Sequence, residues 1–123
     1  MTWRPGGILD DDHANEMVEF LEEREKIDGA SFNRYVDMSG YIRIQLSLDH
    51  LVRLARRRRE GYRGLKVKSA FYALRLIGVH IARMYEELME GSRIEVRTFR
   101  QRAAAAEWLK VPPDVLLPRR NSE

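Results

Sequence analysis

The stretch FNRYVDMSGYIRIQLSLDHL, residues 32–51, decides the fold. It opens with aromatic and β-branched residues, reaches an acid at Asp37 and a break at Ser39-Gly40, then restarts at Ser47 with apolar residues at helical spacing. That order predicts a strand, a loop and a helix. In an α/β protein, the loop after a strand's carboxyl end is where ligands and switches gather. A competing reading makes Ser39-Gly40 the turn of a hairpin, with Ile42, Ile44 and Leu46 alternating along the return strand.

On the amino side, residues 1–9 hold Pro5, Gly6 and Gly7 and read as an irregular lead-in with room for a short extended piece at Ile8-Leu9. From Asp12, the spacing of Ala14, Met17, Val18 and Leu21 predicts a helix that Gly29 closes, with acids in the first turn where the dipole favours them. On the carboxyl side, the helix from Ser47 runs to residue 59 with Leu48, Leu51, Val52 and Ala55 inward. Leu65, Val67, Ser69 and Phe71 alternate with Lys66, Lys68 and Ala70 as a second strand. A long helix over 72–90 follows, its stripe being Leu74, Ile77, Ile81, Met84 or Tyr85, and Leu88, with Gly91 as its stop. Gly78 inside that helix costs ~1 kcal/mol against alanine, which predicts a close backbone approach there. Ile94 and Val96 mark a third strand. Thr98 and Gln101 have capping-box spacing for a last helix through Ala103, Ala106 and Leu109, and residues 112–123 form a loose tail.

Strands alternating with helices imply crossover connections and a parallel sheet. The fold class is therefore α/β: a small, mostly parallel sheet of three or four strands with about four helices, in one domain spanning 1–123. Lys66, Lys68, Glu95 and Arg97 charge one face of two strands, so either those strands lie at the sheet edge or that face is thinly covered, which fits helices mainly on one side. The strand ends near Met38, Ser69 and Thr98 should share one rim. A bare sheet edge could be closed by a second copy, so a homodimer is expected.

Composition narrows the function. The 123 residues are 44% hydrophobic and 33% charged, with net charge +3. No apolar run approaches the ~18 residues of a membrane span, and MTWRPGG lacks the apolar core of a signal peptide, so a cytoplasmic address is expected. With no cysteine there is no disulfide or thiol nucleophile, and His13, His50 and His80 stand too far apart to suggest a metal site. No cofactor and no catalytic activity are expected, since no acid pair, nucleophile or phosphate loop accompanies His80.

Each remaining candidate has a plainer reading. The arginines at 56–59 suggest nucleic acid, but four consecutive helical residues point in four directions, and cations belong at a helix carboxyl end. Nucleic acid is therefore not the expected partner. Lys68 and Ser69 are candidate ligand contacts at a strand end, or simply a lysine on a thin face and a small packed serine. Met84, Tyr85, Leu88 and Met89 could form a soft contact, though regular spacing favours core packing. Trp108 ends an alanine-rich helix and reads as an anchor onto the sheet.

The ordered set VDMSG, a helix opening at Ser47, LKVKSAF, IARMYEELMEG and IEVRTFRQRAAAAEWL resembles the SpoIIAA-like branch of the STAS superfamily over residues 30–111. The amino-terminal strands of such domains are not evident, so the chain looks like a shortened member. The resemblance implies a sheet backed by helices, no catalysis, and regulation through partners such as an anti-sigma factor or a kinase. In related folds it implies binding of a lipid-like or other apolar ligand. It also implies a switch serine at a helix start: Asp37 and Ser39 match the strand-end pattern, and Ser47 takes the switch position. A phosphate there would meet free N–H groups and the positive end of the dipole. The family pattern has an acid and a second serine before that serine and a glycine after it, where this chain has Gln45, Leu46 and Leu48. As a plain residue, Ser47 is an N-cap.

Overall fold

The computed structural model describes residues 1–29 and 31–117. Its main sheet has the order β1 (Thr2–Trp3), β3 (Arg34–Asp37), β5 (Val67–Tyr72), β6 (Ile94–Phe99), every pair parallel. A second, two-stranded sheet pairs β2 (Gly7–Asp10) with β4 (Tyr41–Gln45), also in parallel. The helices are α1 (Asp11–Asp28), α2 (Leu48–Gly61), α3 (Leu76–Leu88) and α4 (Arg102–Leu109).

The period-2 alternation sets the two faces of the main sheet. Val36 packs with Ala14 of α1, Leu54 of α2, and Val79 and Ala82 of α3. Tyr35, Ala70 and Tyr72 point the other way, onto Ala105, Ala106 and Leu109 of α4. Three helices thus cover one face and one short helix the other, which leaves Lys68, Glu95 and Arg97 on the thinly covered side.

The decisive stretch follows neither expected path. After β3 the chain makes a short turn, Met38–Gly40, whose Ser39 amide donates to the Asp37 carboxylate at 2.9 Å. It then runs as β4, so Ile42 and Ile44 do mark a strand, but its partner is β2 and no hairpin forms. A Cβ added at Gly40 would lie 2.7 Å from the Pro5 carbonyl oxygen, so only glycine lets the turn meet the amino-terminal segment this closely.

Other boundaries move for physical reasons. The irregular lead-in contains β1 and β2, so the amino-terminal strands are present in short form. The second strand runs through Tyr72, three residues past Ser69, because Asp37, Tyr72 and Phe99 stay in register. Helix α3 therefore starts at Leu76 and lies on its small face, Gly78, Val79 and Ala82, leaving Leu74 and Ile77 half-exposed. The Thr98–Gln101 capping box does not form: Thr98 belongs to β6, and Gln101 caps α4 without a side-chain bond. The described tail is anchored at one point, with Pro113–Leu116 forming a turn and Leu116 2% exposed against α4 and the sheet while its neighbours stay exposed. Residues 118–123 of the expected loose tail lie outside the described residues.

Candidate functional site

The ends of β3, β5 and β6 share one rim, as the alternation implies, and Asp37, 2% exposed, lies on it. Its carboxylate accepts from the Ser39 amide at 2.9 Å, the Ser39 hydroxyl at 2.6 Å and Arg102 at 3.1 Å, with Arg4 3.8 Å away. Arg4 also donates to the Leu116 and Leu117 carbonyls, so one side chain ties both ends of the described chain to the rim. Tyr35 and Tyr72 stack beside this cluster, and the Arg102 guanidinium lies 4.4 Å from the Tyr72 ring centre. Burial first, then the Asp37 charge, push the Tyr35 hydroxyl up to about 12.

Asp37 and Ser39 are thus brought together, and Ser47 is not brought to them. It lies past the far end of β4, on the order of 20 Å along extended chain from Ser39. There Ser47 caps α2, its hydroxyl accepting from the His50 amide at 3.2 Å. It is also tied to α1, donating its amide to Asp11 at 2.9 Å and its hydroxyl at 3.1 Å. The amide bond is the largest influence holding the Asp11 carboxyl below its ordinary value. A phosphate on Ser47 would compete with the Asp11 carboxylate for this position.

Lys68 and Ser69 part company. Lying before the strand end rather than at it, they pair with Glu95 and with Arg34 and Val96 in the first half of β5. Lys68 turns to the α4 face, donating to the Trp108 carbonyl at 2.9 Å with its ammonium 5.2 Å from the indole centre. Trp108 is half-buried between Lys68 and Arg97 rather than fully sunk. Ser69 faces the three-helix side, where it lines a cavity.

That cavity, of about 110 Å³, lies between the main sheet and helices α1, α2 and α3. Its wall is mostly apolar: Leu9, Met17, Val18, Leu21, Val36, Met38, Leu51, Leu54, Phe71, Ile81 and Ala82 among others. Half-buried Met1 and, on the edge strand β1, half-buried Trp3 line it as well, and Trp3 rests on Phe20 with ring centres 4.9 Å apart. The polar lining groups are Arg34, Arg58, Ser69, Tyr41 and Tyr85. Arg34 and Arg58, each 2% exposed, converge on Glu25. Arg34 donates to it at 2.8 Å, and Arg58 offers both terminal nitrogens, Nη1 at 3.1 Å. Burial works against the Arg58 charge, but the bonds from Glu25 outweigh it. Burial likewise drives the Tyr85 and Tyr41 hydroxyls toward the neutral form.

Glu25 and Arg34 are not among the expected site residues, and Arg58 reads as one of a solvated run at 56–59, although a signal is there. Each takes the inward phase of its element: Glu25 four residues after Leu21, Arg58 four after Leu54, and Arg34 two before Val36. A charge on the core phase of three separate elements marks a buried cluster. Among the described residues no group of acids and histidines could hold a metal ion, and no helix is long and apolar enough to cross a membrane.

A parallel sheet with three helices on one face and one on the other defines an α/β protein of SpoIIAA-like fold. The structure is similar to the crystal structure, at 2.25 Å resolution, of an uncharacterised DUF3478-family protein with a SpoIIAA-like fold from Shewanella loihica PV-4. The two share 16% identity with a TM-score of 0.51, over 86% of this chain and 80% of the other. The likeness is one of fold. No family model matches the sequence. No curated protein matches it either.

Proposed function

We propose that the chain is a binding protein without chemistry of its own, which carries or senses a small apolar molecule in the cavity between the sheet and α1–α3. The supporting observation is the cavity itself. Interiors pack to crystal-like density and leave few voids, and an apolar void of roughly 150 Å³ in another protein stays dry and takes up benzene. At about 110 Å³, this one is of the size that accepts a small ring or short chain. The polar groups sit in a wall that is otherwise aliphatic, which is how ligand sites orient an apolar body.

Native mass spectrometry of protein purified without detergent tests the reading. The expected result is an adduct of constant small mass, lost in Ala82→Leu, which fills the cavity from α3. Protein free of adduct that also takes up none of benzene, 1-hexanol or hexanoate would overturn it.

One observation favours a second reading, a regulatory module that docks a partner protein. Leu76 is 78% exposed, Leu74 and Ile77 are 49% exposed, and all three stand where α3 begins, beside Arg75 and Arg100. Monomeric proteins seldom leave neighbouring large aliphatics so open. On this reading the partner surface is the rim from Asp37 and Ser39 to the start of α3, not the amino terminus of α2. A homodimer through this patch would appear as a two-fold mass in sedimentation equilibrium that Leu76→Glu abolishes.

A further inference from the structure

The cavity has one chemically open point. Arg58 spends its two terminal nitrogens on Glu25, and its Nε–H is buried with no hydrogen-bond acceptor among the described residues. A buried donor left unmade costs on the order of 1–3 kcal/mol, so such a group persists where something else supplies the acceptor. The neighbouring residue shows what fits that edge of a guanidinium. Arg57 holds Glu22 side-on, Nε to one oxygen at 3.0 Å and Nη2 to the other at 2.6 Å. Arg58 lines the cavity with Ser69, Arg34 and Tyr85, and the Tyr85 hydroxyl neighbours its guanidinium.

Resting on the carrier reading, we infer that the cavity takes a small monocarboxylic acid, its carboxylate side-on against Nε and Nη2 of Arg58 and its apolar body between Leu54, Phe71 and Ala82. An entering carboxylate meets the guanidinium of Arg58 beside the Arg34–Glu25 pair. Charge-assisted, bidentate contact of this kind is roughly twice as strong as a neutral hydrogen bond. The small volume limits the body to about the size of benzene or a six-carbon chain.

The probes are hexanoate and 1-hexanol, matched in length and differing in the head group, titrated by calorimetry at neutral pH. Hexanoate is expected to bind about 10-fold or more tightly than 1-hexanol, in keeping with a charge-assisted pair. That preference should vanish in Arg58→Met while 1-hexanol affinity stays, which also certifies the fold of the variant. Arg58→Lys keeps the charge but not the planar edge and should lose most of the preference. If Arg58→Met is unfolded, the Arg58→Lys result alone decides. Equal binding of acid and alcohol by the unaltered chain overturns this inference and leaves the carrier reading standing. Binding of neither overturns both. Adventitious attraction of hexanoate to surface arginines would survive Ala82→Leu, and such survival also overturns the inference.

Discussion

Glu25 shows how much one side chain can organise. It is the shared acceptor of Arg34 and Arg58, two guanidiniums that would otherwise be buried beside each other at high cost. The cluster joins α1, β3 and α2, and both its arginines line the cavity. Tyr35 carries a second residue-scale consequence. Its hydroxyl is held up at about 12 by burial and then by Asp37. The folded chain therefore keeps this proton more tightly than the unfolded chain, whose tyrosines ionise near ~10. Its contribution is whole below that value and is lost as pH climbs toward the folded value. Urea melts at about pH 9 and about pH 11 should show a stability loss that is smaller in Tyr35→Phe than in the unaltered chain. An unchanged loss in Tyr35→Phe would place the alkaline weakness elsewhere, with Tyr41 the next candidate because burial raises it too.

At the scale of elements, helix α3 carries the main lesson. The large aliphatics around its start advertise a stripe through Leu74 and Ile77, yet the first turns pack through Gly78, Val79 and Ala82, and only the later part of that stripe, Ile81, Tyr85 and Leu88, faces inward. Small residues let the backbone approach the sheet, and hydrophobic periodicity weighted by residue size cannot see that preference. Gly78 itself is less constrained than its position suggests. A Cβ there would meet Ala73 Cβ at 3.5 Å and Ile44 Cδ1 at 3.8 Å, which is ordinary contact. Gly78→Ala should therefore stabilise the chain by about 0.5–1 kcal/mol in chemical denaturation, and a loss of that size would reveal a tighter approach. The strands were readable because β3, β5 and β6 alternate cleanly, and the cap at Ser47 because a hydroxyl precedes an apolar helical run. The partner of β4 was not readable. A five-residue strand carries its face in its alternation, but nothing in it says whether β2 or β3 lies alongside. The arginines at 56–59 scatter as helical geometry requires: Arg57 goes to Glu22, Arg58 inward to Glu25, and Arg59 to the Leu88 and Glu90 carbonyls. The free edge of β6 is blunted from within, since Glu86 accepts the Thr98 amide and Ser92 occupies the Ile94 amide and carbonyl. A second copy would find little to pair with there.

At the scale of the whole molecule, two regions divide the functional interest. The rim of Asp37, Arg4 and Arg102 is crowded with its own hydrogen bonds and ties the two ends of the described chain together. The interior between the sheet and α1–α3 instead keeps an apolar space with Arg58 at its wall. The sequence predicted the sheet, its rim and the asymmetric helix cover, but located candidate contacts at strand ends. The cavity arises from how three helices sit on one face, a packing outcome no linear motif encodes. The most direct test is a crystal of the protein pressurised with xenon. The account predicts a xenon atom in the cavity, bounded by Val36, Phe71 and Ala82. Density closed by collapsed side chains, with no xenon there, would contradict it.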